Sequence, residues 1–323
     1  MIYPGVAYAG EVVCVDIGIR PEAVEEVRPQ ARLLQREEIQ RLIPRRKPDS
    51  HKGTYGHLLV IAGSRGKTGA AIMTCRAAMR VGAGLVTLAA PAGLNDIFAA
   101  SMVEVMTEPL GTRSEEGLDA LTDQDWNRLL EKKTSLVFGP GIGVSDACRS
   151  LLHWLLRNVE IPWVIDADGL NNLAGETGRL RSARVPPILT PHPGEMARLM
   201  GSDSESVNRD RVGAARSFAV GHRCYLALKG ARTVIAGPDG GIAINPTGNP
   251  GMASGGMGDV LSGMLGGLVA QGLGAQESLD LGVYLHGFAG DRLARDKGEM
   301  GMIATDVIEE LPTAIKALRR GTE

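Results

Sequence analysis

From His57 onward the chain alternates short, wholly apolar runs with longer stretches whose apolar residues recur at helical spacing. The runs are HLLVIA (57–62), GLVTLAA (84–90), SLVFG (135–139), WVIDA (163–167), PPILT (186–190), CYLALKG (224–230) and TVIA (233–236). A strand with one wet face alternates apolar and polar residues, whereas these runs are apolar at successive positions, as strands covered on both faces must be. Strand and helix patterns in turn predict an α/β fold: a mainly parallel central sheet with helices on both faces. Near residues 230–245 two short strands flank Pro238-Asp-Gly-Gly241, which predicts a small β-hairpin added to the sheet. One domain over residues 51–320, about 270 residues long, is expected.

The first fifty residues follow a different pattern. GEVVCVDIGI (10–19) has strand character, and a charged connector follows with a short helix predicted over Glu37–Leu42. A single strand cannot fold alone. Residues 1–50 are therefore expected to be an arm packed on the main domain, or a connector joined to the tail of a domain that is absent.

Composition narrows the function. Net charge is -2 with both signs interspersed, and no basic face or arginine run points to nucleic acid. Aromatics make up 4% against 43 glycines, which favours backbone-mediated ligand contacts over aromatic stacking surfaces. Cys14, Cys75, Cys148 and Cys224 are far apart in the sequence and form no C-x-x-C pair, so neither a zinc site nor a disulfide framework is signalled and a reducing cytoplasm is expected. No run is long enough to span a membrane and the N-terminus has no export pattern, so no membrane partner is expected.

The stretch VIAGSRGKTGAA (60–71) contains Gly66-Lys67-Thr68 after a strand, which invites comparison with the phosphate-binding loop G-x-x-x-x-G-K-[ST]. Ile61 stands where that loop needs its first glycine, so the motif fails. A glycine-rich turn leading into a helix from about Thr68 remains, and helix N-termini accept anions.

Ligands of open parallel sheets bind beyond the carboxyl ends of the strands. Polar or glycine-rich clusters follow four of the apolar runs: Gly139 to Gly143, Asp166 to Asn171, Pro191 to Glu195, and Lys229 to Thr233. The richest stretch is NPTGNPGMASGGMGDVLSGMLGG (245–267), a glycine- and proline-rich loop leading into a small-residue helix. Gly255, Gly256 and Gly258 would present free N–H groups there as an anion hole. Asp259 beside them is either a helix cap or the base that takes a proton from a hydroxyl attacking a phosphoryl group. His192 is held between prolines; Glu195 favours a helix dipole or holds a metal-bound water. Asp166 and Asp168 contact metal or phosphate water, or Asp168 caps a helix. Lys229 neutralises a phosphate or ends its strand in solvent. His51, His57, His153, His222 and His286 are read as packing or surface residues.

Taken in order, KGTYGHLLVIAGS, RVGAGLVTLAAP, FGPGIG, DADGLN, TPHPGE, LKGARTVI and GNPGMASGGMGDVLSG resemble the NAD(P)H-hydrate dehydratases, members of the ribokinase-like superfamily, over about residues 30–320. GEVVCVDIGI resembles the end of the epimerase domain that precedes the dehydratase in many bifunctional chains. The resemblance implies a substrate, hydrated NADH or NADPH, whose ring hydroxyl is phosphorylated by ADP or ATP with Mg2+ and then lost as phosphate. It assigns Asp259 as base, Gly255, Gly256 and Gly258 as anion hole, and Lys229, Gly230, Ala231, Arg232, Thr233 and Gly258 to the adenine nucleotide. Ala70, Gly141, Gly143, His192 and Asp259 match positions that contact the hydrated dinucleotide, which the turn Gly63–Gly69 would cradle. Glu195 would organise magnesium through water, and a homotetramer is implied. His192 and Glu195 share the N-x-x-E spacing of ribokinase-like sugar kinases, with histidine in place of asparagine, which favours the dehydratase branch. The alternatives are a small-alcohol kinase using the same Asp259, and a non-catalytic nucleotide sensor.

Overall fold

The computed structural model describes residues 2, 5–10, 13, 15–27, 29, 31–111 and 121–321. Its strands are β1 (Ala31–Leu33), β2 (His57–Ile61), β3 (Leu85–Pro91), β4 (Met106–Leu110), β5 (Ser135–Phe138), β6 (Trp163–Ile165), β7 (Ile188–Leu189), β8 (Tyr225–Leu228), β9 (Val234–Ala236) and β10 (Ile242–Ile244). They form one sheet in the order β1-β10-β9-β8-β7-β6-β5-β2-β3-β4. Only β9, within the predicted hairpin, runs against its neighbours β8 and β10. The mainly parallel sheet expected from the apolar runs is what forms.

Successive residues of β2 point to opposite sides, and both sides are buried. Leu58 and Val60 join one core with the helices Thr68–Arg80, Met257–Ala270, Ala275–Lys297 and Ala304–Arg320. Leu59 and Ile61 join the other, with Asp146–Asn158, Pro193–Met200 and Arg211–His222. Burial of each such side chain contributes on the order of 1.5–3 kcal/mol, so the two-sided run is the main local determinant of the sheet.

The helix Met257–Ala270 crosses the middle of the sheet with nearly every residue buried. Its glycines explain how. A Cβ on Gly263 would lie 2.0 Å from Thr74 O, and one on Gly267 2.8 Å from Ala78 O, so this helix meets Thr68–Arg80 backbone to backbone. A Cβ on Gly266 would strike Val137 on β5 at 2.4 Å. Larger residues at these places would lift the helix off the sheet.

The N-terminal segment meets its expectation in part: the predicted short helix forms and residues 31–43 pack on the main domain, but the strand expected at 10–19 does not appear among the described residues. Residues 11, 12 and 14, Cys14 included, lie outside the described residues. The rest of GEVVCVDIGI forms no strand, and Val15, Ile17 and Ile19 are exposed, since no sheet edge pairs with them. The segment read as a charged connector instead supplies β1, which pairs in parallel with β10, followed by the helix Arg36–Leu42. Leu34, Ile39 and Ile43 enter the main core, and these three apolar residues are what dock the segment.

Candidate active site

The strand order reverses between β2 and β5. The chain runs outward from β2 through β3 to β4, returns to β5 beside β2, and then proceeds the other way. Such a switch point opens a crevice at the carboxyl ends of the two strands. The loops that border it are Gly63–Lys67 and Gly139–Gly143, the two glycine-rich stretches singled out from the sequence. They are tied together: Gly63 N–H donates to Pro140 O at 2.9 Å and the Ser64 hydroxyl to Gly141 O at 2.7 Å. Gly141 has φ +63, and a Cβ there would lie 3.0 Å from the Ala70 Cβ. Of the expected dinucleotide residues, Ala70 and Gly141 are therefore neighbours, Gly143 follows in the same loop as Gly141, and Ala70 sits in the first turn of the helix Thr68–Arg80.

The turn after β6 serves two places at once. Ala167 has φ +50, an uncommon conformation for a residue with a Cβ, and it sends its neighbours Asp166 and Asp168 to different partners. Asp166 is buried; its Oδ1 accepts from Lys229 Nζ at 2.9 Å and its Oδ2 from the Ser262 hydroxyl at 2.5 Å. Asp168 Oδ2 accepts from Lys67 Nζ and from Gly143 N–H, each at 2.9 Å. Burial opposes the charge of Asp168, but Lys67, the Gly143 N–H and Asn171 outweigh it and hold the carboxyl below its usual range. Asp168 thus cross-links the crevice loops and makes no cap for the helix it begins.

Lys229 follows β8 and does not end in solvent. It lies 2.9 Å from Asp166 and 3.6 Å from Glu195. Burial would lower its pKa, yet the two carboxylates and Asp259 hold it above the ordinary lysine value, so it remains an ammonium. Gly258 makes room for that ammonium: a Cβ there would be 3.2 Å from Nζ.

Asp259 lies in the first turn of the helix Met257–Ala270. The helix is capped by no side chain, and Gly256, at φ +89, occupies the cap position. Its first N–H groups lack partners within the helix and carry the positive end of the dipole. The carboxylate of Asp259 accepts no hydrogen bond from a described residue; only its backbone carbonyl is engaged, by Thr74 Oγ1 at 3.1 Å. Burial and the nearby Asp166, opposed by Lys229, push its pKa up to about 7. A half-buried, unbonded carboxylate with that pKa is poised to take up a proton near neutrality.

His192 and Glu195 form a reciprocal cap at the start of the helix Pro193–Met200. His192 Nδ1 accepts from Gly194 N–H at 3.0 Å and Glu195 N–H at 3.3 Å, while Glu195 Oε2 accepts from His192 N–H at 2.8 Å. With Nδ1 accepting, the neutral ring carries its proton on Nε2, and the half-exposed imidazole offers a donor. Glu195 is buried and already shared between this cap and Lys229. Among the described residues no group of three or more His, Cys, Asp or Glu is arranged to hold a metal ion.

Beyond Lys229 lies a cavity of about 480 Å³, lined by Lys229 to Thr233, the loop Asn245–Pro250, Gly258 and the helix Ala275–Lys297. All six residues expected to bind nucleotide line it. Gly255 is exposed at the loop before the helix start. Asp259 and Lys229 thus lie between this cavity and the switch-point crevice.

A family model described as NAD(P)H-hydrate dehydratase matches residues 58–313. The chain belongs to the NAD(P)H-hydrate dehydratase family. It is 42% identical, over its whole length, to 61% of the bifunctional NAD(P)H-hydrate repair enzyme of Moorella thermoacetica. It is 36% identical to the ADP-dependent (S)-NAD(P)H-hydrate dehydratase of Neisseria meningitidis, over 81% of this chain and 86% of that one. Among solved structures, the ADP/ATP-dependent dehydratase of Bacillus subtilis, co-crystallized with ATP/Mg2+, superposes with a TM-score of 0.79 at 29% identity, covering 89% of this chain and 98% of that one. The fold is thus that of the ribokinase-like dehydratases. The chain spans about three-fifths of the length of the bifunctional relatives it matches.

Three residues of this candidate site carried no role in the sequence reading. Ser262 is three residues beyond Asp259 on one helical face, a spacing that could have revealed it. Lys67 was passed over once the phosphate-loop motif failed. His286, set aside as packing, lines the cavity and had no local signal.

Proposed function

We propose that the protein dehydrates hydrated NADH and NADPH to the intact dihydronicotinamides, using ADP, with ATP as the alternative donor. The carrying observation is the unbonded carboxylate of Asp259, at an uncapped helix start between a crevice suited to one ligand and a cavity suited to another. In this reading the dinucleotide lies in the switch-point crevice against Ala70, Gly141, Gly143 and His192. The nucleotide occupies the cavity along Lys229–Thr233. Asp259 takes the proton of the ring hydroxyl as its oxygen attacks the terminal phosphoryl group. Lys229 and the N–H groups around Gly255, Gly256 and Gly258 hold the negative charge that develops on the phosphoryl oxygens. The phosphorylated hydroxyl then leaves as phosphate, driven by the ring nitrogen lone pair, and loss of a ring proton completes the dihydronicotinamide.

The carboxylates near Asp259 fit magnesium brought in by nucleotide phosphates better than an ion held by protein alone. Both oxygens of Asp166 are engaged, and Glu195, shared with His192 and Lys229, reaches an ion only through water. When bound, magnesium supplies charge neutralisation at the phosphates. The reaction is assigned to residues 51–320. A cytoplasmic homotetramer belongs to the same reading; the buried free thiols Cys75, Cys148 and Cys224 fit a reducing compartment, and light scattering tests the assembly. No helix among the described residues is long and apolar enough to cross a membrane.

Mixing the protein with hydrated NADH, magnesium and either ADP or ATP should raise absorbance in the dihydronicotinamide band and release phosphate. A stable phospho-ester of a small alcohol, without such a rise on hydrated NADH, would instead make the protein a kinase.

A further inference from the structure

Arg211 opens the helix Arg211–His222 and is buried. Its Nη2 donates to Leu228 O at 2.9 Å and to Lys229 O at 3.2 Å, where β8 passes into the turn that follows it. Gly230, at φ +138, makes room for this contact, since a Cβ there would lie 2.5 Å from Nη1. Lys229 and Gly230 line the nucleotide cavity, so the guanidinium stands directly behind its wall at the lysine end.

That charge is badly placed for stability alone. Burial disfavours it, and no carboxylate opposes the effect; the adjacent Asp210 is turned to cap the helix, accepting from Gly213 N–H at 2.8 Å. Buried charges are ordinarily paired, and the first turn of a helix, at the positive end of its dipole, disfavours a cation further. A neutral amide side chain could hold the same two carbonyls without either cost.

We infer that Arg211 is a positioning residue of the nucleotide site: it fixes the Lys229–Gly230 turn from behind, and the phosphates of the bound nucleotide provide the counter-charge that the protein leaves out. This rests on the nucleotide reading above and adds a residue that the segment Lys229–Thr233 does not contain. Lys229 is shared between Asp166 and Glu195, so its own charge is already largely offset, and a second cation behind it restores a positive field for phosphate. Arg211 does not itself line the cavity and acts through the turn and through its charge.

A charge acts on the phosphates, whereas a mere prop for the turn acts on the whole nucleotide. Arg211→Gln, which keeps an amide donor for the carbonyls, is expected to weaken ADP binding about tenfold by calorimetry, and adenosine binding by no more than about twofold. Arg211→Lys keeps the charge and should preserve the wild-type ratio of ADP to adenosine affinity. Equal losses for ADP and adenosine in the Gln variant, or no loss for ADP, would overturn the role of Arg211 alone. Should the Gln variant not fold, a fall of about tenfold in that ratio for Arg211→Lys, with its charge intact, would overturn it equally. Failure of the wild-type chain itself to bind ADP would overturn this role together with the nucleotide reading.

Discussion

Asp166 and Asp168 are two residues apart and each holds a lysine at 2.9 Å, yet their surroundings differ. The Asp166 pair is enclosed, with side chains 1% and 19% exposed for Asp166 and Lys229, and it borders Asp259. The Asp168 pair is open, with Lys67 53% exposed, and it ties together the loops of the switch-point crevice. The same ion pair on paper is therefore two different devices. In the enclosed one, each charge depends on the other, because water cannot replace a lost partner. In the open one, solvent screens much of the attraction, and the pair chiefly arranges loops.

Substitutions can break this contrast. The largest effect should come at the base served by the enclosed pair. Asp259→Asn is expected to lower kcat by about 10³-fold, equivalent to about 4 kcal/mol of transition-state stabilisation, with nucleotide binding retained; an unchanged rate removes Asp259 from the mechanism. Lys229→Met leaves Asp166 buried without its counter-charge and should cost about 3 kcal/mol in denaturant unfolding, besides weakening nucleotide binding. A loss below about 1 kcal/mol would mean that the enclosed pair behaves like a surface pair.

The pH dependence sharpens the comparison further. Asp259 must be deprotonated to act, so kcat should fall about tenfold per unit as pH drops below about 7. Stability moves oppositely. A carboxyl whose folded pKa is raised from 3.8 to about 7 favours the folded state below the lower value, and that advantage is lost as pH rises through the upper one. The thermal midpoint of Asp259→Asn should therefore gain on wild type across that window. The smallest effect belongs to the open pair: Lys67→Met should change stability by no more than about 1 kcal/mol, yet raise the KM for hydrated NADH more than that for ADP. Equal rises in the two would detach Lys67 from the crevice.

The sheet was legible because burial on both faces writes itself into consecutive apolar residues, as in Leu58 to Ile61. Lys229 and Gly141 stood out because they directly follow apolar runs, and Asp259 because a glycine-rich loop leads into its helix. What escaped prediction depends on contacts distant in sequence. β1 is a three-residue strand, recognisable only once β10 is beside it. Its run, Ala31-Arg-Leu33, looks like a charged connector when read alone. The exposed Val15, Ile17 and Ile19 show the reverse, a strand pattern that pairs with no described strand.

The glycines of the helix Met257–Ala270 carry one more implication. Gly263 and Gly267 bring that helix against Thr68–Arg80 with main chain touching main chain. One rod starts at Asp259, the proposed base, the other at the floor of the crevice. Backbone contact cannot slacken by a rotamer change, so the spacing between the two starting points behaves as a fixed gauge. In the proposed reaction, donor and acceptor would be measured against each other by the skeleton, leaving side chains free to handle the chemistry.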